Sequence, residues 1–320
     1  MRLGSAGAAR VAGRFELPGG LREVVVEIRD ARRTATVDGK SVRDPDELFG
    51  GLAVVAFTPD DLALVKGGPD GRRRLLDRAV QNRHAAHLAD SRDYQRALKS
   101  RNQLLRQSAP PALRHAFDEP LAKLGAKIRL RREQLLDELR APAARAFAEV
   151  ARGEAPLELT YLAAGRESDG LGAEAALLGE AALAEKIFAA LERRAPRDLQ
   201  RGYTSIGPHA DELALAIGDR PARLFASQGQ ARAVVLAFRI GEIENLRRTQ
   251  GRAPLLLLDD VSSELDPERN SYLMRYLAEL RGQVVLTTTD ASLVAAAAQE
   301  AQFHAVSQGR IEPVNPPGFT

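Results

Sequence analysis

The stretch Pro254-Leu255-Leu256-Leu257-Leu258-Asp259-Asp260-Val261-Ser262-Ser263-Glu264-Leu265-Asp266-Pro267 decides how the rest of the chain is read. Four leucines in a row, with no polar alternation, suit a strand buried on both faces, the habit of parallel sheets in α/β proteins. Two carboxylates follow at once, at the carboxyl end of that strand. Ligands of open parallel sheets sit in the crevice beyond those ends. An acidic pair placed there can hold a hydrated Mg²⁺ through one oxygen and orient a water with the other. The plainer alternative is a core strand whose aspartates end it and open a turn. Downstream, Asp266-Pro267-Glu268 is a helix start: Asp as cap, Pro at the first helical position, an acid in the first turn.

Moving outward, Ala226-Ser227-Gln228-Gly229-Gln230 opens a long helix about thirty residues before the acidic strand. Ser227 is a natural N-cap. Its hydroxyl and the free amides of the first turn form an anion site aided by the helix dipole. On the far side, Val284-Val285-Leu286 reads as another buried strand, ending in Thr287-Thr288-Thr289-Asp290. An alanine-rich helix over 291–300 and a short strand, Phe303 to Val306, follow.

Residues 11–37 are expected to be β-structure. Val24 to Ile28 and Ala35 to Val37 flank a polar turn, and Asp38-Gly39 gives a hairpin signal before Lys40-Ser41-Val42. Gly39-Lys40-Ser41 invites a P-loop reading, which fails. The first glycine of G-x-x-x-x-G-K-S falls at Thr34, and the context is strand–turn–strand, whereas a P-loop needs strand–loop–helix. No other segment of the sequence supplies that motif. Leu52 to Phe57 is a further strand. Helical, highly charged sequence then runs from about Arg72 to Gln107, and Pro110-Pro111 separates it from a second long helix, about 112–150. Leu121, Leu124, Ile128, Leu135 and Leu139 recur at helical spacing as a packing seam. Two long helices about a Pro-Pro turn predict an antiparallel hairpin arm. Beyond it come a strand at Leu157–Tyr161, a Gly- and Ala-rich loop over 162–180, a helix over 181–194 and a hairpin around Gly218-Asp219.

The chain has 320 residues, 44% hydrophobic and 28% charged, with a net charge of +3 and no cysteine. This composition belongs to a folded chain with a full core. The absence of cysteine excludes disulfides and thiolate metal sites and fits a cytoplasmic protein. No window of eighteen apolar residues predicts a membrane span, and Met1 to Ala8 lacks the apolar core of a signal peptide. Arg72, Arg73 and Arg74, and the group Arg129, Arg131 and Arg132, are the densest basic clusters. Such clusters can contact phosphates or form a solvated helix face.

Three features now stand in order: Ser227-Gln228-Gly229-Gln230, Leu255 to Asp260, and Ser263-Glu264-Leu265-Asp266. Together they resemble the signature motif, Walker B strand and D-loop of an ABC-type ATPase head. The Ser-Glu-Leu-Asp variant, Asp260 where most such ATPases carry Glu, and the Thr-Thr-Thr-Asp ending are similar to the RecF family. So are Pro59-Asp60 through Leu64-Val65-Lys66-Gly67-Gly68-Pro69 to Arg72-Arg73 and Leu76-Asp77, Arg101 to Gln107, and Gly207-Pro208-His209-Ala210-Asp211. The resemblance runs from near Gly4 to about Ile311. It departs at Leu75, where an aromatic is usual, and at Val55, where no Q-loop glutamine stands. It implies that a P-loop unit of at least about 30 residues precedes the matched part in the family.

The resemblance implies an α/β fold: an ABC-type head with a mixed or parallel core sheet and an antiparallel helical-hairpin arm. The lobes would be 1–70, the arm 71–155 and the carboxyl-terminal ATPase lobe 156–320. It implies ATP and Mg²⁺ as cofactors, with Asp259 on the metal and Asp260 polarising the attacking water. The signature residues Ser227, Gln228, Gly229 and Gln230 would cap ATP held by a second copy. Ser263, Glu264, Leu265 and Asp266 would form the D-loop, Asp266 would bridge the copies, and Thr289 would take the switch position. Implied partners are DNA at single-strand/double-strand junctions, contacted in part through Arg72, Arg73 and Arg74, with RecO, RecR and RecA and the SOS response. Lacking a P-loop motif, these 320 residues are expected neither to bind ATP tightly nor to hydrolyse it. Rival readings are a nucleotide-free DNA-binding or scaffold protein and an SMC- or Rad50-type head. The helical arm and Ser-Glu-Leu-Asp weigh against a transporter ATPase.

Overall fold

The computed structural model describes residues 9–17, 19–29, 32–42, 47, 51–151, 155–297 and 301–315. Four strands, β1 (Ala9–Leu17), β2 (Gly20–Arg29), β3 (Arg32–Val37) and β4 (Lys40–Val42), form an antiparallel meander in chain order. Asp38 and Gly39 join β3 to β4 with φ of 50° and 76°, the paired positive values of a two-residue hairpin turn. Lys40 and Ser41 are therefore strand residues, opposite Val37 and Thr36.

The remaining labelled elements are β5 (Val54–Phe57), α1 (Pro69–Gln81), α2 (Ala86–Arg106), α3 (Pro111–Ala151), β6 (Leu157–Leu162), α4 (Glu180–Arg201), β7 (Glu212–Ile217), β8 (Arg220–Pro221), α5 (Gln228–Gln250), β9 (Leu255–Asp259), α6 (Pro267–Glu279), β10 (Val284–Thr287), β11 (Phe303–Ser307) and β12 (Arg310–Val314). β6, β7 and β8 make an antiparallel sheet and β11–β12 a hairpin. The alanine-rich stretch expected as a helix is a 3-10 segment, Ala291–Ala297, with 298–300 outside the described residues.

The leucine run forms β9, the centre of a parallel sheet ordered β10-β9-β5. One face of that sheet is core: Val55, Phe57, Leu256 and Leu258 are buried against α5 and α6. Full burial of each such side chain stabilises by about 1.5–3 kcal/mol. The other face corrects the expectation of a strand buried on both sides. Leu257 is 38% exposed and its register neighbour Val285 49%. With β10 and β5 hydrogen-bonded on its two sides, β9 is the central strand of this sheet. The apolar exposure lies on a face, not along an edge.

Two cores are joined by α3. Its 41 residues make a rod of about 60 Å. Leu121, Ala122, Ala126 and Ile128 pack with α2 and α4, whereas Leu135, Leu139, Ala143 and Phe147 pack into the sheet core. The seam expected along this helix thus serves both cores in turn. Leu183, Ile187 and Leu191 of α4 belong to the first of these groups. α4 therefore packs with α2 and α3 rather than with the sheet core. The arm's first helix is also not continuous, because α1 ends at Gln81. Asn82 turns its side chain onto the edge of β5, donating to the Val54 carbonyl at 3.1 Å and accepting from the Val54 amide at 3.4 Å. That pairing anchors the break, and α2 restarts at Ala86.

Candidate functional site

The parallel register sets Thr287 of β10 beside Asp259 of β9. The Thr287 hydroxyl donates to Asp259 Oδ1 at 2.8 Å, and the Asp260 amide donates to the Thr287 carbonyl at 3.1 Å. Asp260 sits at φ 49°, ψ 31°, a left-handed conformation that costs an Asp roughly 1 kcal/mol. Its Oδ1 is buried without a hydrogen-bond partner. The next helical turn, Val261–Glu264, is tied back by Ser263 Oγ, which donates to the Asp260 carbonyl at 2.9 Å. Ser262 is buried, and half-buried Leu265 packs on the sheet core.

Asp266 caps α6 as expected, accepting from the Arg269 amide at 3.0 Å. Burial works against its charge, but the amide and guanidinium of Arg269 outweigh it and hold the carboxyl below its usual range. The same guanidinium lies over the start of α5. A Cβ added at Gly229 would come 3.0 Å from Arg269 Nη1, so glycine admits that approach. Arg269 thus joins the segment after β9 to the amino terminus of α5 within one chain. Sequence reasoning missed it.

Ser227 caps α5 reciprocally: its Oγ accepts from the Gln230 amide at 3.1 Å, and Gln230 Oε1 accepts from the Ser227 amide at 2.8 Å. The Gln230 amide, expected to face a ligand, is therefore already engaged. The amides of Gln228 and Gly229 have no carbonyl within the helix to bond. Beside the cap, Leu224 and Phe225 stand 73% and 62% exposed.

The carboxyl end of β9 is chemically suited to Mg²⁺. Asp259 and Asp260 are adjacent, and one oxygen of Asp260 lacks a donor. Among the described residues no cluster of three metal-ligating side chains occurs. Mg²⁺ does not need one, since it is bound through one or two carboxylates, waters and ligand phosphates. Thr289 is exposed. Thr287 is the threonine that touches Asp259, and only the parallel pairing of β9 with β10 could have singled it out.

The basic cluster expected to contact DNA is corrected in part. Arg72 is buried, with its guanidinium on both oxygens of Glu212 at 2.7 and 2.9 Å and on the carbonyls of Leu64 and Gly67. Arg73 reaches the Asp211 carbonyl at 2.7 Å and pairs with Asp70. Only Arg74 of the three is exposed. These side chains face inward because α1 packs against β7, which carries Glu212.

Other motif residues form buried ion pairs. Arg129 binds both oxygens of Asp211 at 2.9 and 2.7 Å, and Asp211 also accepts from Tyr161 Oη at 2.6 Å and the Ala164 amide at 2.7 Å. Arg132 binds Asp77 at 2.7 and 2.8 Å, with His87 on the same carboxylate at 3.0 Å. Arg101, fully buried, meets Asp118, Asp198 and Thr204. Burial opposes ionisation of Asp77, but His87 and Arg132 prevail and lower its pKa to about 2. Glu133, on α3 near Arg129 and Asp211, is pushed up to about 7, chiefly by burial.

Comparison with known proteins places this geometry. No family model matches the chain. It is 53% identical over 302 residues to the DNA replication and repair protein RecF of Myxococcus xanthus, covering 94% of this chain and 78% of that one. It is 51% identical to RecF of Anaeromyxobacter sp. (strain Fw109-5), with 95% and 81% covered. Among solved structures, the recombination mediator protein RecF with ATP in the RecFOR pathway superposes with a TM-score of 0.82 at 27% identity, covering 96% of this chain and 81% of that one. An Smc head domain from Pyrococcus furiosus matches at a TM-score of 0.51 and 14% identity, with 96% and 76% covered, a likeness of fold alone. The fold is an ABC-type ATPase head, and the chain belongs to the RecF family of DNA replication and repair proteins.

Proposed function

We propose that the protein is a cytoplasmic, ATP-responsive DNA-binding factor of recombinational repair. It acts at single-strand/double-strand junctions of gaps and helps RecO and RecR load RecA, feeding the SOS response. One observation carries the nucleotide part of this reading: adjacent Asp259 and Asp260 at the carboxyl end of β9, one fixed by Thr287, the other with an unpaired buried oxygen. Asp259 is the metal-holding carboxylate, and Asp260 orients the water. Mg²⁺, when bound, supplies positive charge to the phosphate oxygens. Ser227 and the amides of Gln228 and Gly229 cap the phosphates of ATP held by a second copy, a placement favoured by electrostatics at helix starts. Exposed Leu224 and Phe225 beside Ser227 supply apolar surface for that second copy. Asp266 and the D-loop residues Ser263, Glu264 and Leu265 carry the contact between copies, and Thr289 is the switch position. Residues 1–70 and 156–320, apart from α4, build the ATPase lobes, and 71–155 with α4 build the arm.

In a version of the protein carrying a P-loop, Asp260→Asn abolishes ATP hydrolysis and preserves ATP-driven dimerisation. Lost dimerisation with hydrolysis intact refutes the assignment. The 320 residues alone contain no P-loop motif, and on this reading they bind ATP only weakly. Calorimetry showing micromolar, Mg²⁺-dependent ATP binding by them contradicts that. The sequence fact that no P-loop motif is present also favours a second reading, a DNA-binding scaffold working without nucleotide.

A further inference from the structure

The basic residues singled out near the start of α1 are mostly turned inward, yet another basic surface lies on α2. Arg92, Arg96, Lys99, Gln103 and Arg106 are all exposed. At 100° per residue they fall within an arc of about 80°, and at 1.5 Å per residue they run for about 21 Å. No carboxylate lies in this arc. Asp93, at its margin, pairs with Arg96, while Asp90 faces away and binds Arg131. Lys99 and Arg106 have no ion-pair partner among the described residues. The chain as a whole is nearly balanced, 46 basic against 43 acidic residues, so the stripe is a local excess and not a reflection of composition. Solvated helix faces ordinarily mix the two signs.

A second observation extends the stripe. α4 ends at Gly202, whose φ of 72° is the left-handed cap that glycine favours. The stem of Arg106 packs on it, since a Cβ there would meet Arg106 Cγ at 3.0 Å. Arg201 and Tyr203 therefore flank the carboxyl end of the α2 stripe. Asn102 fixes this junction, its Oδ1 accepting from the Thr204 amide at 2.8 Å and the Thr204 hydroxyl at 2.7 Å. Arg197 and Arg201 are exposed, and no carboxylate pairs with either among the described residues. Tyr203 is 48% exposed at the same place.

We propose that this surface is a nucleic-acid track: the α2 stripe contacts backbone phosphates, and Tyr203 at its end stacks on an unpaired base. About 21 Å of stripe matches on the order of six steps of a strand at about 3.4 Å per step. A stack of base on aromatic ring needs an unpaired base, so the end marked by Tyr203 is the single-stranded side. The inference rests on the reading that the protein binds DNA and assigns the surface that does it.

The test uses the 320-residue chain and fluorescence anisotropy with single-stranded, duplex and gapped DNA over a range of salt concentrations. The substitutions Lys99→Ala, Arg106→Ala and Arg201→Ala combined remove exposed side chains without touching either core. They should lower the slope of log affinity against log salt by about 3 on duplex, nearly one unit per lost phosphate contact. Tyr203→Ala should weaken single-stranded and gapped DNA about 10-fold and leave duplex unchanged. An unchanged salt slope in the triple variant overturns the track, as does a Tyr203→Ala loss that is equal on duplex. Equal competition by polyglutamate overturns the nucleic-acid assignment in favour of an acidic protein partner. A parent chain that binds none of the three DNAs, with or without saturating ATP and Mg²⁺, overturns the track.

Discussion

Two charged regions of this molecule use the same residue types in opposite ways. Between α1, α3 and β7, buried guanidinium groups meet carboxylates whose oxygens are all engaged: Asp211 alone accepts from Arg129, Tyr161 and the Ala164 amide. At the end of β9, Asp259 is exposed, Asp260 keeps an unpaired oxygen, and the backbone between them and the next turn is held left-handed. Carboxylates whose oxygens are all engaged have nothing left to offer a ligand, whereas an under-satisfied, strained pair does. The first region ties α1, α3 and β7 together, and the second is where we propose the nucleotide chemistry.

The sharpest way to break this contrast is to remove one partner from each side. Asp211→Ala strands the buried Arg129 guanidinium and should cost about 3–5 kcal/mol of unfolding free energy, read by urea denaturation. A cost under about 1 kcal/mol would show that the network is peripheral to the fold.

Acid titration sharpens it next. Folding lowers the pKa of Asp77 from 3.8 to about 2, so between those values the unfolded chain binds more protons. The stability from this group is complete above 3.8 and is lost as pH falls towards 2, amounting to on the order of 2 kcal/mol. Asp77→Asn should flatten the pH dependence in that window. Glu133 has the opposite sign. Its pKa rises from 4.5 to about 7, the folded state binds more protons between them, and stability falls as pH climbs through that range. Glu133→Gln should remove that decline, and a decline that persists in the variant would assign it to another group.

In the second region the expected effects are smaller and differ in sign. Asp260→Gly relieves a left-handed Asp and removes an unpaired buried oxygen, so it should stabilise the fold by about 1 kcal/mol. Gly229→Ala is the mildest. Better helix propensity offsets the displacement of the Arg269 guanidinium, and the net change should stay within about 0.5 kcal/mol. A loss above about 2 kcal/mol would mean that Arg269 is held rigidly over α5.

Much of this was legible in the sequence, and the reasons differ by residue. The β9 strand, the Ser227 cap, the Asp266-Pro267 helix start and the Asp38-Gly39 hairpin depend on neighbours in the chain, and local pattern carried them. The contact of Thr287 with Asp259 depends on which strands pair, and no local signal holds that. Arg72 and the exposed Arg92, Arg96 and Arg106 of α2 are the same residue type. What separates them is burial, set by β7 packing on α1 and by α2 keeping one face free. The motif residues Asp77, Arg101 and Asp211 stood out in the sequence, but their role as a buried scaffold appears only when α3 is laid between two cores. The break at Asn82 was hidden because its cause lies 28 residues earlier, at Val54.

On this reading the buried network supports the fold while the acidic pair is strained for function. Urea unfolding of Asp211→Ala and Asp260→Gly, measured side by side against the parent chain, tests this most directly. The midpoint should fall steeply for Asp211→Ala and be unchanged or raised for Asp260→Gly. A fall in Asp260→Gly as large as that in Asp211→Ala would contradict it, because the acidic pair would then be another part of the scaffold.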